Sequence, residues 1–322
     1  MSRVTVLVAA YNAEKYLEAC LDSLVNQTLK DIQIVCIDDA STDSTLQIMQ
    51  RYAADDSRIQ ILQRGENAGQ AVARNMGIQV ADGDYITMLD ADDYLGADAL
   101  EKAVSIFDSD PETGSVLLRL VYLNGSDETP YPMRSDKTEW SGEEAFRLSL
   151  DWSIHGLYIS KAELFKRFPY DTSCRLYSDD NTTRMHYLHS RKVKQCDGVY
   201  YYRQHGESMT NRVSARRIDL IEANTSMAHQ LREAGQGREV LALFERERWV
   251  NLTGVIGIWL RNREILDKAE ALERFRAAWK DIDKTLLPCG LKFKLGYMPF
   301  HSFRLYFLQA QFYFLLRRLL GK

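Results

Sequence analysis

The sequence predicts an α/β fold: a mainly parallel sheet covered by helices on both faces, followed by a C-terminal helical region. Three observations support this prediction. Strands and helices alternate in the order β-α-β-α-β-α-β through the first third of the chain, and parallel strands need such crossover helices. The strands are continuous apolar runs, which is typical of strands buried on both faces. After about Val213 the alternation stops.

Local patterns define each element of the first third. The first strand is an almost wholly apolar run, and Leu17, Leu21 and Leu24 then recur at helical spacing. The polar run 41–44 supplies helix-start chemistry for the second helix. The predicted strands are 4–10, 32–37, 59–62 and 85–89, and the predicted helices are 13–27, 45–54 and 70–81.

The C-terminal third is predicted to be helical, with helices at 216–234, 237–260 and 267–282. These helices cap the preceding domain or pair with a second copy in a homodimer. The last segment, 291–322, carries six Lys or Arg and no Asp or Glu among aromatic and aliphatic residues. Such a segment suits the headgroup layer of a membrane surface. A final helix docked on the protein's own core is the equally weighted alternative.

Composition and charge exclude several classes of protein. The 322 residues are 45% hydrophobic and 27% charged, as in an ordinary globular protein. The net charge of −4 combines the six basic residues of the last segment with −10 on the preceding residues, which argues against nucleic acid as a partner. Five cysteines without a C-x-x-C pair favour reduced thiols in a cytosolic protein. Neither a basic leader nor an uncharged run of ~20 residues is present, so we expect a cytoplasmic location.

Three carboxylates directly follow the fourth predicted strand, in the order Asp90-Ala91-Asp92-Asp93. Like charges crowded at a strand end cost free energy unless a cation neutralises them. Mg²⁺ or Mn²⁺ does so through carboxylates together with a ligand's phosphates. The alternative is a solvated acidic turn that caps the helix beginning near Ala97.

Polar residues also follow the first two predicted strands, and the carboxyl ends of parallel strands share one ligand-binding crevice. Tyr11 can stack on a planar base, or it is a packing aromatic. Asp38 or Asp39 can accept hydrogen bonds from a base imide or a ribose hydroxyl, or one of them caps a helix. The loop 65–69 leads into a helix with Arg74 one turn in, which suits a phosphate or carboxylate. An ordinary loop with an exposed arginine is the alternative.

Together these motifs resemble family 2 of the glycosyltransferases. They occur in the family's order and spacing over about the first 100 residues, and that combination is specific although each piece alone is weak. One departure is Ala40, where members of the family usually carry glycine. The matching stretches lie at 8–12, 16–28, 38–43, 67–77 and 89–93.

The resemblance implies a GT-A fold and an inverting transfer of a sugar from a nucleotide diphosphate donor, most often a uridine one. The family's tyrosine and first acidic pair hold the base and ribose, and its glycine-loop region lies in the same donor site. Its Asp-x-Asp pair binds Mn²⁺ or Mg²⁺, with Asp92 the closest match to the metal ligand. The donor-binding residues implied here are Ala10, Tyr11, Asn12, Asp38, Asp39, Asn67, Gly69, Arg74, Asp90 and Ala91.

Two later segments also match the family. An inverting transfer needs a base for the acceptor hydroxyl, and the stretch 177–181 resembles the family's Glu-Asp motif at a helix start. Asp180 is the implied base, with Asp179 in place of the usual glutamate; a helix-capping acid pair is the alternative. The segment 200–210 makes His205 the implied third metal ligand beside Asp90 and Asp92, a structural histidine being the alternative.

The predicted function is therefore a metal-dependent glycosyltransferase of cell-surface polysaccharide synthesis. Its acceptor is a saccharide or lipid-linked saccharide, which fits a basic tail on the inner face of the cytoplasmic membrane. A non-catalytic nucleotide-sugar binding or scaffold protein is the rival. A nucleotidyltransferase is disfavoured, because no Gly-rich loop with an activating Lys or Arg follows the first strand. The implied domains are 1–212, with a donor half of about 1–110 and an acceptor half of about 111–212, and the helical region 213–322.

Overall fold

The apolar strands assemble into one mixed sheet of ten strands. The computed structural model describes residues 2–173, 176–205 and 215–321. Each of the four strands predicted in the first third is present within one residue of its predicted bounds. The strands are β1 (Val4–Ala10), β2 (Ile32–Asp38), β3 (Ile59–Gln63), β4 (Tyr85–Met88), β5 (Tyr94–Leu95), β6 (Thr113–Asn124), β7 (Asp127–Pro130), β8 (Glu139–Ser141), β9 (Tyr158–Lys161) and β10 (Lys192–Arg203).

The spatial order of the strands is β3-β2-β1-β4-β9-β6-β10-β5, with β7 beside β6 and β8 beside β10. β1 pairs in parallel with β2 and β4, and β2 pairs in parallel with β3. The register places Ala10 beside Asp38, so the residues after β1 and β2 leave the sheet at the same edge. Beyond β4 the sheet is mixed rather than mainly parallel, because β9 runs antiparallel to both β4 and β6.

Helices pack on both faces of this sheet, as predicted. In chain order they are α1 (Leu17–Val25), α2 (Thr45–Asp55), α3 (Gln70–Val80), α4 (Ala99–Ser109), α5 (Gly142–Leu150), α6 (Ala162–Arg167) and α7 (Ser178–His189). Val6 and Val8 of β1 belong to a core shared with α1, α2 and α4. Leu7 belongs to a second core shared with α3, α5 and α6. Successive side chains of a strand point to opposite faces, so β1 is buried on both.

The chain divides into two compact units. The first comprises Met1–Thr172 and Thr182–Asn211 and contains the sheet, whereas the second comprises Ser173–Asn181 and Arg212–Lys322. The predicted domain boundary after residue 212 lies outside the described residues. So do residues 206–210, the end of the later segment that matches the family.

The second unit is helical. Its helices are α8 (Leu220–Glu233), α9 (Arg238–Arg261), α10 (Lys268–Asp281) and α11 (Phe303–Leu319). They enclose a core rich in aromatic residues that includes Trp249, Trp259, Phe275 and Tyr306. This confirms the predicted C-terminal helical region. Among the described helices of the chain, none is both long enough and apolar enough to span a bilayer.

Candidate active site

The three predicted carboxylates form one cluster at the end of β4. Leu89 still donates its N–H to the carbonyl of Leu7 at 2.9 Å, and the chain then turns so that Asp93 N–H donates to the carbonyl of Asp90 at 3.0 Å. This turn brings carboxylate oxygens of Asp90, Asp92 and Asp93 within 4.8 Å of one another. Such close like charges are stabilised by cationic neighbours.

Arg74 is one such neighbour, and it is buried rather than exposed on the loop. Its side chain is 2% exposed, and Nη2 donates to Asp90 Oδ1 at 2.6 Å. Gln70 Nε2, on the preceding turn of α3, donates to the same oxygen at 2.8 Å. The guanidinium also lies over the Tyr170 ring, 5.1 Å from its centroid. The alternative of an exposed arginine is wrong, and α3 holds the Asp90 carboxylate in position.

Whereas Arg74 contacts Asp90, His205 contacts Asp92, the second acid of the motif. Its Nε2 is 2.8 Å from Asp92 Oδ2, and its ring stacks on Tyr16 with the centroids 4.9 Å apart. At the last residue of β10, Arg203 Nε donates to the backbone carbonyl of Asp92 at 2.9 Å. The end of β10 therefore brings the predicted imidazole ligand to the predicted carboxylate ligand.

Asp93 is the third acid of the motif, and the sequence analysis predicted no role for it. It is 1% exposed, and it accepts hydrogen bonds from the Tyr200 hydroxyl at 2.8 Å and from the Arg203 N–H at 2.7 Å. Burial, followed by the charges of Asp90 and Asp92, raises the pKa of Asp93 to about 8. The run of three acids after a buried strand was the signal that marked it.

The donor set of this cluster fits a divalent cation. Carboxylate oxygens and an imidazole nitrogen are ligands that Mg²⁺ and Mn²⁺ accept, and the cluster offers both kinds within a short distance. The carboxylates of Asp90 and Asp92 repel that of Asp93, and this repulsion is, after burial, a cause of the raised pKa of Asp93. A cation bound there relieves that repulsion.

The loops after β1 and β2 are tied to each other. Asn12, in the left-handed region with φ of 51°, accepts the Thr42 N–H at 2.8 Å and donates its own N–H to Ser41 Oγ at 3.1 Å. Asp39 N–H donates to the carbonyl of Ala10 at 2.9 Å. Tyr11 stands between these anchored residues with half of its surface exposed. The exposed half of its ring is available for stacking, and its role in base binding stays a prediction.

Asp38 and Asp39, which sequence reasoning left interchangeable, have different surroundings. Asp39 accepts hydrogen bonds from the Ala68 N–H at 3.1 Å and the Gly69 N–H at 2.8 Å. It also forms an ion pair with Arg64 at 3.0 Å. Asp38 is 1% exposed, and its Oδ1 accepts the Ser41 N–H at 3.1 Å. Within the described residues its other oxygen, Oδ2, is buried without a hydrogen-bond partner. Asp39 therefore holds the glycine loop 65–69 in place, and Asp38 keeps one carboxylate oxygen, Oδ2, that can still accept a hydrogen bond.

The remaining predicted donor residues lie around these groups. Gly69 adopts φ of 93° immediately before α3, a conformation that glycine reaches at little steric cost. Asn67 is exposed on the same loop, and Ala91 is buried between Asp90 and Asp92 of the carboxylate cluster.

The predicted base pair opens α7. Asp179 and Asp180 lie in its first turn, and the Asp180 N–H donates to Asp179 Oδ1 at 3.1 Å. Both residues belong to the second unit. Their assignment as base and neighbour stays a prediction.

The sequence matches the family described as "Glycosyl transferase family 2" over residues 5–174, more than half of the chain. The chain belongs to glycosyl transferase family 2. The resemblance found in the sequence is confirmed, and so is the predicted enzyme class, a glycosyltransferase. The match begins in β1 and ends before α7, so it covers the carboxylate cluster but not the predicted base.

Known relatives agree with this assignment. The poly(ribitol-phosphate) β-glucosyltransferase of Bacillus spizizenii is 31% identical over 216 residues, which make up 65% of this chain and 33% of that protein. This family 2 chain thus corresponds to about a third of the length of that relative.

Solved structures show the same fold. TarS 1–349 of S. aureus, crystallised in complex with UDP-GlcNAc, superposes with a TM-score of 0.79 at 21% identity, covering 99% of this chain and 92% of that one. The mannosyltransferase PcManGT of Pyrobaculum calidifontis, in complex with GDP-Man and Mn²⁺, gives a TM-score of 0.57 at 19% identity, covering 97% and 87%. At these identities the likeness is one of fold, and the predicted GT-A fold is confirmed.

Proposed function

We propose that this family 2 protein transfers a sugar from a UDP-sugar to a saccharide or lipid-linked saccharide acceptor, in a metal-dependent reaction that inverts the anomeric carbon. The observation that carries the proposal is the cluster of Asp90, Asp92 and Asp93 at the end of β4, with Arg74 on one side and His205 on the other. The UDP-GlcNAc complex of TarS supports the donor class. The name of the B. spizizenii relative supports a polysaccharide acceptor.

The loops after β1 and β2 are assigned to the nucleoside. Tyr11 offers an exposed ring on which a base can stack. The buried Oδ2 of Asp38 needs a hydrogen-bond donor, because an unsatisfied buried acceptor is costly. The imide N–H of uracil or a ribose hydroxyl supplies one. Asp39 supports this pocket indirectly, since its three partners hold the loop that leads into α3.

The cluster is assigned to the diphosphate. Asp90, Asp92 and His205, joined by Asp93, would hold Mn²⁺ or Mg²⁺, and the bound ion would neutralise the charge that develops on the leaving diphosphate. The protein fixes the ligands beforehand. Arg74 and Gln70 hold the Asp90 carboxylate, and Arg203 holds the backbone of Asp92. Ligands held in this way need little reorganisation when the donor binds.

The acceptor side of the proposal rests on Asp180. As a general base it would take the proton of the attacking hydroxyl, with Asp179 beside it in the first turn of α7. The protein would act in the cytoplasm at the inner face of the membrane, where a lipid-linked acceptor is accessible.

Release of nucleotide from a panel of nucleotide sugars tests the proposal, because a transferase can hydrolyse its donor slowly without an acceptor. With Mn²⁺ or Mg²⁺ present, we expect UDP release from one UDP-sugar and its loss when the metal is chelated. Asp92→Ala should lower the rate about a hundredfold or more, since it removes charge stabilisation at the leaving group. Asp98→Ala, which removes an exposed carboxylate paired with Lys102, serves as the matched control and should keep the wild-type rate.

The same panel, followed by thermal shift, separates the rival function. Binding of UDP-sugars without turnover, even when candidate acceptors are added, would favour a non-catalytic nucleotide-sugar binding protein. Absence of both binding and turnover would remove the donor-site assignment. Equal rates in Asp92→Ala and wild type would contradict the metal role of the cluster.

A further inference from the structure

The last helix carries an apolar stripe that the fold leaves exposed. Five large apolar side chains of α11 are between 51% and 73% exposed. They follow one another at alternating intervals of three and four residues, which at about 100° per residue places them on one face of the helix. Contiguous exposed apolar surface of this kind marks interaction sites. The stripe consists of Leu305, Leu308, Phe312, Leu315 and Leu319.

The opposite face of α11 is packed inside the second unit. Tyr306 is fully buried, with its ring 4.5 Å from that of Trp249 and its hydroxyl 2.8 Å from Thr253 Oγ1. Phe314 lies so close to Gly257 of α9 that a Cβ there would be 2.2 Å from its ring. The docked final helix, one of the two predicted alternatives, is therefore found. Docking accounts for one face only and leaves the stripe facing outward.

Charge indicates what covers the stripe. Arg304 and Arg318 lie roughly 60° and 100° from its centre, on the same side. Upstream, Lys292 and Lys294 alternate with the exposed Phe293 and Leu295. No Asp or Glu occurs from residue 292 to the last residue. An apolar face bordered by basic residues is typical of helices that lie in the headgroup layer of anionic membranes, and arginine stems can extend along that boundary.

A second copy of the chain fits the stripe less well, although the three-four spacing is that of a coiled coil. If the stripe is taken as the a and d positions, the g positions hold Arg304, Gln311 and Arg318, and the e positions hold Gln309 and Leu316. Acidic partners for the arginines are absent from the helix. Two such helices side by side would bring like charges together, which disfavours pairing.

We propose that the stripe of α11, bordered by Arg304 and Arg318, binds the surface of an anionic lipid bilayer. The helix lies in the headgroup layer without crossing the membrane. The inference rests on the proposed function for one point, that the membrane is where a lipid-linked acceptor is found.

Vesicle co-sedimentation of the full chain tests the proposal. Vesicles of phosphatidylcholine with about one third phosphatidylglycerol should bind the protein at least about tenfold more tightly than phosphatidylcholine alone, and less tightly as salt rises. Leu308→Gln with Leu315→Gln should weaken binding more than about tenfold, because two apolar side chains leave the bilayer. Arg304→Gln with Arg318→Gln should weaken it about fivefold for each arginine.

A matched control is the pair Lys268→Gln and Lys280→Gln, two exposed basic residues of α10, which should bind vesicles as the wild type does. The proposal is overturned if the wild type ignores anionic vesicles, or if the leucine variant binds them undiminished. It is also overturned if sedimentation velocity shows a wild-type dimer that the leucine variant converts to monomer, since the stripe is then a self-association surface.

Release of UDP in solution, without vesicles, keeps this inference separate from the proposed function. All three pairs of substitutions lie outside the carboxylate cluster and should release UDP at the wild-type rate. Vesicle binding without UDP release, even when candidate acceptors are added, would leave the membrane proposal standing and remove the transferase proposal. UDP release without vesicle binding would leave the transferase proposal standing and remove the membrane proposal.

Discussion

At the scale of single residues, Ala40 shows how the nucleoside loop is shaped. Its φ of 62° lies in the left-handed region, between Asp39 and Ser41, whose N–H donates to Asp38 Oδ1 at 3.1 Å. The resemblance implied that the family usually carries glycine here. The structure supplies the reason, because glycine reaches this conformation without the clash that a Cβ produces.

Replacing Ala40 by glycine should therefore stabilise the protein. The relief of left-handed strain, about 1–2 kcal/mol, exceeds the added flexibility of the unfolded chain, about 0.4–1 kcal/mol. We expect the free energy of unfolding in urea to rise by about 0.5–1 kcal/mol. Ala53→Gly, inside α2, is the control and should lower it by about 1 kcal/mol. A lower urea midpoint for Ala40→Gly would show that the left-handed turn is not strained.

At the scale of elements, α7 is a buried helix whose burial could not be predicted from its sequence. Five consecutive or near-consecutive polar residues are each less than 4% exposed, so the helix shows no apolar stripe that periodicity could detect. His186 illustrates how they are accommodated. Its Nδ1 is 2.7 Å from the Tyr158 hydroxyl and its Nε2 is 2.9 Å from the carbonyl of Phe168. The buried residues are Asn181, Thr182, Thr183, Arg184 and His186.

Burial of His186 should make stability depend on pH. Burial lowers the pKa of His186 to about 4, whereas an unfolded histidine titrates near about 6.5. Between these two pH values the unfolded chain binds more protons than the folded one. The contribution of neutral His186 to the free energy of unfolding is therefore fully present above about pH 6.5 and decreases as the pH falls towards about 4. The loss at about pH 5 amounts to about 2 kcal/mol for this residue.

Urea unfolding at about pH 7 and about pH 5 measures this effect. His186→Gln should reduce the drop in unfolding free energy between the two values by about 2 kcal/mol, whatever its effect at neutral pH. The exposed His301, replaced by glutamine, is the control and should leave the drop unchanged. His155, whose pKa burial also lowers to about 4, contributes a drop that remains in both variants. Equal drops in His186→Gln and wild type would refute the assignment.

At the scale of the whole molecule, each unit is stabilised in its own way. The first has two apolar cores, one on either face of the sheet. The second adds a buried ionic network to its aromatic core. Arg248 of α9, 2% exposed, donates to both carboxylate oxygens of Glu245 at 3.0 and 2.9 Å. Arg232 of α8 and Asp281 of α10 complete the network, which links three helices.

Breaking this network from one side should be costly. Arg248→Met leaves the Glu245 carboxylate buried with one partner fewer, and we expect the free energy of unfolding to fall by about 3–5 kcal/mol. The double variant Glu245→Leu with Arg248→Met should cost less than the single one, since the two charges that stay behind, Arg232 and Asp281, are both partly exposed to solvent. Urea unfolding followed by tryptophan fluorescence reports the change. A double variant less stable than the single one would show that the pair itself stabilises the unit.

Much of the fold and of the site could be predicted because it depends on neighbours in the chain. Apolar runs and helical spacing located the strands of the first third and the helices after residue 215. The order of parallel strands then placed Tyr11, Asp38 and Asp90 at the ends of neighbouring strands. Motif spacing alone led to the family, which the match over residues 5–174 confirms.

Tertiary structure alone decided which groups meet. That Arg74 turns inward to Asp90, that Asp39 serves the glycine loop while Asp38 keeps an acceptor, and that Asp93 is buried are long-range facts. The antiparallel entry of β9 and the split of α11 into a packed and an exposed face belong with them. The reason is physical: periodicity and turn chemistry act between residues a few positions apart, whereas burial and ion pairing depend on groups that only the completed fold brings together.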